Sequence, residues 1–397
     1  MPVHTGFVTW CDACGWGLIP EVERSSATVM SEQSFANASG PGIALFKELK
    51  ASNDFTPKWT TTKRLAFALA TVVHLTTLVY LVLGIWFIVR FRPNFIMMVW
   101  GLFCLGIAYA VFPRLGKLPT NITPREKIPT LYQLADKTSE ALGIANVSGI
   151  VLNTQFSAAF EVVGWRRDSI LYIGLPLFSI LSSEEKNTLI AHELAHGANG
   201  DSTRGLYIGS ALATLDRWIY ILMPHNRTYV RGTNLVYRLL RYPAQRYANW
   251  LNALLMQDKQ RAEYLADHLA TKLSGKDAHI NMLRKVPYAG TLHRAVVTMV
   301  SSQQYNADLF EIFQQRMAEV PTRELERIWR VEELRIAQRD SSHPPLPFRR
   351  AMLETHGFEH GLSYFSEKDH ELLTVELEQF KPRIQRQLID NYRTSLG

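Results

Sequence analysis

The sequence predicts a mainly α-helical chain with a small β-sheet, an α+β catalytic domain placed behind an N-terminal transmembrane helical hairpin. Three observations lead there. Two long uncharged apolar runs lie within residues 65–112. Helical periodicity fills most of the chain beyond residue 123, and the β-prone stretches cluster just ahead of one helix. That helix carries His192-Glu193-Leu194-Ala195-His196, an H-E-x-x-H pattern.

Composition narrows the class. The 397 residues leave room for about two to three structural units. Hydrophobic residues make up 47% and charged residues 20%, a globular balance with some additional apolar sequence. The formal net charge of +7 suits nucleic acid or an anionic membrane surface. No RNP-type motif and no isolated Lys/Arg block occur, so nucleic acid is set aside and the lipid bilayer is the expected partner. Three cysteines cannot form a disulfide framework, which points to a reducing compartment.

Residues 1–57 form an N-terminal segment. Cys11-Asp12-Ala13-Cys14-Gly15 is half of a zinc knuckle, because such a turn lets two thiolates share one ion. Three readings stand for Cys11 and Cys14: a second zinc site closed by two protomers, a redox pair, or a vestigial knuckle. Ser25–Pro57 reads as a linker with one short helix at Ile43–Lys50. Residues 58–116 are the membrane hairpin, with spans at about 65–89 and 94–112 joined by Arg90–Pro93. More than sixty residues precede the first span, which argues against a signal peptide. Lys47, Lys50, Lys58, Lys63 and Arg64 lie before the hairpin; Arg114, Lys117, Arg125 and Lys127 lie after it. The connector holds only Arg90 and Arg92. Positive-inside asymmetry then gives a multi-pass cell-membrane protein with its catalytic domain in the cytoplasm.

Residues 117–290 read as the catalytic domain. Arg125–Leu142 has helical periodicity, Ser148–Leu152 reads as a strand, and Phe156–Val163 with Ser169–Gly174 reads as a hairpin. Helices come next at Leu175–Leu181 and Ser183–Gly197. Ser183 is the expected cap of the second, with Lys186 three residues on, and Gly197 and Gly200 mark its end. On that helix His192 and His196 are four apart and reach one metal ion, while Glu193 sits beside the metal's water as general base. Gln260–Leu273 supplies Glu263 and Asp267, again four apart on one face. Glu263 completes a His2Glu site with an open fourth position, and Asp267 is placed to hydrogen-bond a liganding imidazole. Between the metal motifs, Leu206–Met223 is interrupted by Asp216 and Arg217, and Val236–Met256 by Arg238, Arg241 and Arg246. These are expected as amphipathic helices over the catalytic core; helices lying on the bilayer surface are the alternative. Residues 291–397 are a C-terminal helical region, with charged helices at 308–340 and 366–394.

The stretches NTLIAHELAHGANGD and RAEYLAD, the membrane hairpin, the PRLGKLP after it and a late histidine motif together resemble the HtpX and type I CAAX prenyl endopeptidase family of membrane zinc metallopeptidases. The resemblance covers roughly residues 93–355. It implies a zincin-like domain with one catalytic Zn2+, ligands His192, His196 and Glu263, and catalytic Glu193. Asp201 matches a further family aspartate. His343-Pro344-Pro345-Leu346-Pro347-Phe348-Arg349 matches the family's H-P-x-x-x-x-R, from which His343 or Arg349 points at the oxyanion; through it the C-terminal region completes the active site. Where the family shows Asn-Ala on the strand that receives substrate, this chain has Ser157-Ala158-Ala159. HtpX-type members often carry another apolar hairpin between the metal motifs. The implied activity is hydrolysis of protein or peptide substrates, in quality control of misfolded or membrane proteins. The alternatives are a narrow CAAX-type processing peptidase, or a non-catalytic membrane-tethered interaction protein working through its C-x-x-C. The oligomeric state is not legible in the sequence.

Overall fold

The computed structural model of the chain describes residues 7–18, 32–56, 58–113, 116–198, 201–223, 231–334, 343–362 and 365–396. Helix α1 (Glu32–Ser52) is followed by the long apolar helix α2 (Thr61–Arg90) and by α3 (Phe95–Ala110). Thirty residues make α2 about 45 Å long at 1.5 Å per residue, enough to cross a hydrocarbon layer. Its side chains Leu78, Val82 and Val89 are 51%, 56% and 66% exposed, although its best window has a mean hydropathy of 2.3. Helix α3 is equally apolar but has only 16 residues, roughly 24 Å. The expected second span at 94–112 is therefore shorter than the sequence suggests. Asn94 caps its start, its side chain accepting from the Met97 N–H at 3.3 Å. Pro113 follows its end and disfavours helical backbone at the residue before it. The two helices cross at glycine: a Cβ on Gly101 would lie 2.6 Å from Ile88 and 2.9 Å from the Gly84 carbonyl.

The segment expected as a linker is instead docked. Leu45 and Leu49 of α1, with Phe55, pack against Tyr264 and Met352, and Phe46 stacks on Phe348 at 4.6 Å. The Ser, Ala, Asn and Gly content of Glu32–Ser52 hides a short apolar stripe at Leu45, Phe46 and Leu49.

The sheet has strand order β1-β3-β2, from β1 (Gly149–Asn153), β2 (Ala158–Val163) and β3 (Asp168–Gly174). β1 runs parallel to β3, with Ile150 opposite Leu171; β2 runs antiparallel to it, with Phe160 opposite Leu171. β2 is thus an edge strand. The helix expected at Arg125–Leu142 divides into a 3-10 turn, Arg125–Lys127, and α4 (Pro129–Leu142). Proline at the first helical position explains the break, since its ring excludes helical backbone at Ile128. The turn α5 (Leu175–Phe178) leads to α6 (Ser183–Ala198), which carries the H-E-x-x-H pattern.

Ser182, not Ser183, caps α6. The Ser182 N–H donates to Glu185 Oε2 at 2.8 Å, and the Glu185 N–H to Ser182 Oγ at 3.4 Å, a reciprocal capping box. Lys285 Nζ closes on Glu185 at 2.5 Å. The glutamate of the box stands three residues from Ser182, whereas counting from Ser183 meets Lys186.

Helices α7 (Asp201–Ile221) and α8 (Arg231–Ser274) follow. They are expected over the catalytic core, and α7 does touch β2 and α6, but the main packing is elsewhere: Ile208, Ala211, Leu215 and Ile219 of α7 and Ala244, Ala248 and Leu251 of α8 pack on Ala66, Ala70 and Val73 of α2. Small residues let the three backbones approach. Of the charges that interrupt the pattern, Asp216, Arg238 and Arg246 face outward, whereas Arg217 and Arg241 are half-buried. Tyr247 Oη donates to the Leu69 carbonyl at 2.9 Å, and buried Lys63 lies 3.8 Å from Asp258.

The remaining helices are α9 (Lys276–Lys285), α10 (Ala289–Ser301), α11 (Leu309–Glu319), α12 (Thr322–Leu334), α13 (Leu346–His356), α14 (Glu367–Glu378) and α15 (Lys381–Leu396). Most of them share the main core, where Leu373, Leu377 and Ile384 pack with Leu131, Leu134, Phe178 and Leu194, while Leu292, Val296 and Met299 of α10 form a second cluster with Leu309, Phe313 and Ile389. Glu376 accepts the Thr130 N–H at 2.9 Å and so caps α4 from 246 residues away.

The capping box fixes where the metal-motif helix begins. Ser182→Ala is expected to lower stability by about 1 kcal/mol, read as a lower denaturant midpoint, with the metal content unchanged. An unaltered midpoint would show that Ser182 does not cap this helix.

Candidate metal centre

The centre forms where α6 crosses the C-terminal half of α8. The crossing is close because Ala191 and Ala270, both fully buried, face each other beside Leu273. The Thr188 hydroxyl reaches Ser274 Oγ at 2.5 Å and ties the two helices. Where α6 ends, Gly197 abuts the Phe160 ring of β2: a Cβ there would lie 3.2 Å from it. The metal-motif helix therefore finishes against the edge strand.

His192 and His196 project from one face of α6, their rings 5.1 Å apart and nearly perpendicular. His192 Nε2 lies 3.6 Å from Glu263 Oε2, and His196 Nε2 lies 3.6 Å from Glu263 Oε1. Donor atoms held tetrahedrally at about 2.0–2.2 Å from one ion stand roughly 3.3–3.6 Å apart, so this set fits a small divalent cation. The chemistry also fits. Glu263 Oε2 is buried without a hydrogen-bond partner, an expensive state for a carboxylate oxygen unless a cation serves it.

Asp267, one turn further along α8, organises the other side. Its Oδ1 lies 3.0 Å from His192 Nδ1, which turns Nε2 toward the metal point. Arg349 of α13 clamps Asp267 through both oxygens, Nε to Oδ2 at 2.8 Å and Nη2 to Oδ1 at 2.6 Å. Its third nitrogen, Nη1, is 3.8 Å from Glu263. His343 stands at the rim, 61% exposed, with Nδ1 3.0 Å from Glu263 Oε1.

The charges are mutually dependent. Burial alone would raise Asp267, but Arg349 and His279 hold it well below the usual carboxylate range. Burial likewise opposes the charged form of Glu263, and His192 and His343 keep it far below. His192 is opposed by its own burial, yet Asp267 and Glu263 outweigh this and push it up to about 10. Contact with Glu263 raises His343 as well.

The sequence-derived set thus comes together at His192, His196, Glu263, Asp267, His343 and Arg349. Glu193 follows His192 on α6, partly exposed and close enough to add to the field at Arg349. Ala158 and Ala159 open the edge strand β2; Ser157 precedes it, its carbonyl accepting the Gly174 N–H at 2.9 Å. Asp201 begins α7, but its side chain lies outside the described residues. Cys11 and Cys14 take no part here, and Asp267, His192 and His279 form a second acidic and imidazole group beside the first.

His279 is the residue sequence reasoning missed. It sits on α9, fully buried, with Nε2 3.0 Å from Asp267 Oδ1. Its ring is 5.7 Å from that of His192. The one available signal was a histidine on the apolar face of an amphipathic helix, between Met282, Leu283 and the chain's second metal motif.

Fold and site together define a metallopeptidase of the H-E-x-x-H type. The sequence profile of peptidase family M48 matches residues 150–356, just over half of the chain, and the chain belongs to that family. It is similar to the protease HtpX of Mannheimia succiniciproducens, with 22% identity over 173 residues. The aligned part covers 42% of this chain and 60% of that relative. No solved structure matches.

Two outcomes are expected of this geometry. Asp267→Asn should weaken metal binding by about 10- to 100-fold, the usual cost of losing a partner that orients a ligand; metal titration reads it, and unchanged affinity would remove Asp267 from that role. Because His192 holds a proton up to about 10 in the metal-free site, metal binding must displace it. Calorimetry at neutral pH in two buffers should show release of about one proton per ion, and affinity should rise with pH across that window. Buffer-independent heats would contradict this.

Proposed function

We propose that the chain is a membrane-anchored zinc metalloendopeptidase with a zincin-like catalytic domain, acting on misfolded or membrane proteins. The observation that carries this reading is the convergence of His192 Nε2, His196 Nε2 and both Glu263 oxygens on one point beside Glu193. His192, His196 and Glu263 would hold Zn2+, which when bound supplies Lewis acidity toward water and the scissile carbonyl.

The other tasks fall to the chain. Glu193, one residue from a ligand and partly exposed, takes a proton from the attacking water and returns it to the leaving amine. His343, held at the rim by Glu263, is placed to donate to the carbonyl oxygen as negative charge develops there. Arg349 has its Nε and Nη2 engaged by Asp267. We therefore assign it to holding the carboxylate that orients His192, in place of the direct oxyanion contact expected from the sequence.

Substrate is taken to add as a strand along β2. In an antiparallel pair, alternate residues turn their N–H and C=O groups away from the partner. The Gly174–Ser157 bond makes Ser157 a paired position, so Ala158, Phe160 and Val162 face the open edge. That edge leads to the end of α6, where Gly197 meets Phe160. The long apolar helix α2 supports anchoring, and the flanking lysines and arginines support a cytoplasmic site. On this reading residues 58–116 are the anchor, 117–290 the catalytic domain, and 291–397 the helical region that brings His343 and Arg349. An accessible edge strand favours broad substrate use over CAAX-type processing.

Glu193→Gln should keep its zinc while casein cleavage in detergent falls by about 10²- to 10⁴-fold. His192→Ala, His196→Ala and Glu263→Gln should instead lose the metal; wild-type turnover by Glu193→Gln would refute the mechanism. Ala158→Pro removes one outward-facing N–H from an edge strand that tolerates proline. KM should rise several-fold with thermal stability retained, and an unchanged KM would dismiss strand addition.

A further inference from the structure

The hairpin at residues 7–18 lies apart from the metal centre, yet it is built around two thiols. Cys11 and Cys14 are both free. The Cys11 N–H donates to the Trp16 carbonyl and the Gly15 N–H to the Cys11 carbonyl, each at 2.8 Å. Gly15 adopts φ +71°, which lets the chain reverse within the turn. These bonds close a tight turn over residues 11–16, so the two cysteines share one small loop. Cys14 is exposed and Cys11 partly so, which turns the pair outward.

The hairpin is firmly seated on α12. Trp10 is 1% exposed, packed with Leu18 and Val331. The guanidinium groups of Arg323 and Arg330 each lie 5.0 Å from its ring centre. Arg323 donates to the Trp10 carbonyl at 2.6 Å, Arg330 to the Asp12 carbonyl at 2.7 Å, and Arg327 to the Leu18 carbonyl at 2.8 Å. Three arginines thus fix the backbone of the turn, with Arg323 also 3.7 Å from the Asp12 carboxylate and Arg330 paired with Glu326 at 2.5 Å.

Two thiolates are half of a tetrahedral zinc site. Among the described residues, no group of three or more metal-binding side chains includes either cysteine. The remaining cysteine of the chain, Cys104, is buried in α3. We propose that Cys11 and Cys14 form a half-site for Zn2+ that is closed by the same two residues of a second copy of this chain. An outward-facing pair meets its own copy across a two-fold axis, the self-complementary arrangement of closed dimers. Four thiolates on one dication leave a charge of two minus. The site is independent of the peptidase centre.

The test uses the full chain in detergent, purified under reducing conditions. Zinc content and molar mass are measured for Glu263→Gln, which removes the peptidase ion, and for the same protein carrying Cys11→Ser and Cys14→Ser. Glu263→Gln should retain about half an ion per chain and run as a dimer; the cysteine changes should abolish both. As a readout independent of the serine variants, Co2+ added to metal-stripped Glu263→Gln should give a thiolate-to-cobalt absorption band. A Glu263→Gln protein without zinc, a cysteine-dependent ion held by a monomer, or Co2+ binding without that band would overturn the proposal.

Discussion

The structure depends on one helical turn that buries two carboxylates. Glu263 and Asp267 lie on α8, 7% and 1% exposed at their side chains, inside a core that tolerates neither alone. Burying an unpaired carboxylate costs several kcal/mol, so cationic and donor groups must be delivered from other elements. Arg349 arrives from α13, His279 from α9, His192 and His196 from α6, and His343 from just before α13. Each partner fixes an element, which is why the metal motifs and the C-terminal helices share one core. The division of labour is electrostatic. Asp267 is neutralised by a bidentate guanidinium and left to orient an imidazole, whereas one oxygen of Glu263 has no hydrogen-bond partner and is open to a cation.

The approach of Arg349 also explains how sequence-distant parts serve one reaction. A guanidinium placed on Asp267 and within 3.8 Å of Glu263 couples α13, and His343 just before it, to the candidate metal ligands. Helix α1 adds a further restraint: Phe46 stacks on Phe348, next to Arg349, and Arg261 of α8 bonds Glu48 at 2.7 Å. The apolar helix α2 meets the same scaffold through α7 and α8. The long apolar helix, the N-terminal helix and the site are thereby mechanically continuous.

Much of the centre was legible in the sequence because its residues are related by helical spacing. His192 with His196, and Glu263 with Asp267, are four apart, and that interval places both members on one face whatever surrounds them. The β-hairpin was legible for the same reason, from alternation and a polar turn. His279 carries no such relation, since its partner Asp267 lies on another helix, and only packing brings them to 3.0 Å. The docking of α1 was hidden because its apolar stripe is short, and the placement of α7 and α8 because outward-facing charges broke an otherwise continuous pattern. His343 and Arg349 came from family resemblance, and they meet different carboxylates, His343 reaching Glu263 and Arg349 clamping Asp267. The capping glutamate Glu185 was within reach, but the cap lay one residue earlier than the helix pattern suggested.

Two neighbouring groups can hold an ion here: His192, His196 and Glu263, or His192, Asp267 and His279. Electrostatics favours the first, since Arg349 already occupies both oxygens of Asp267. Anomalous diffraction at the zinc edge on the zinc-loaded protein separates them directly. The expected peak is bounded by the Nε2 atoms of His192 and His196 and by Glu263, with no bond from Asp267 to the ion. A peak between Asp267 and His279 would contradict it.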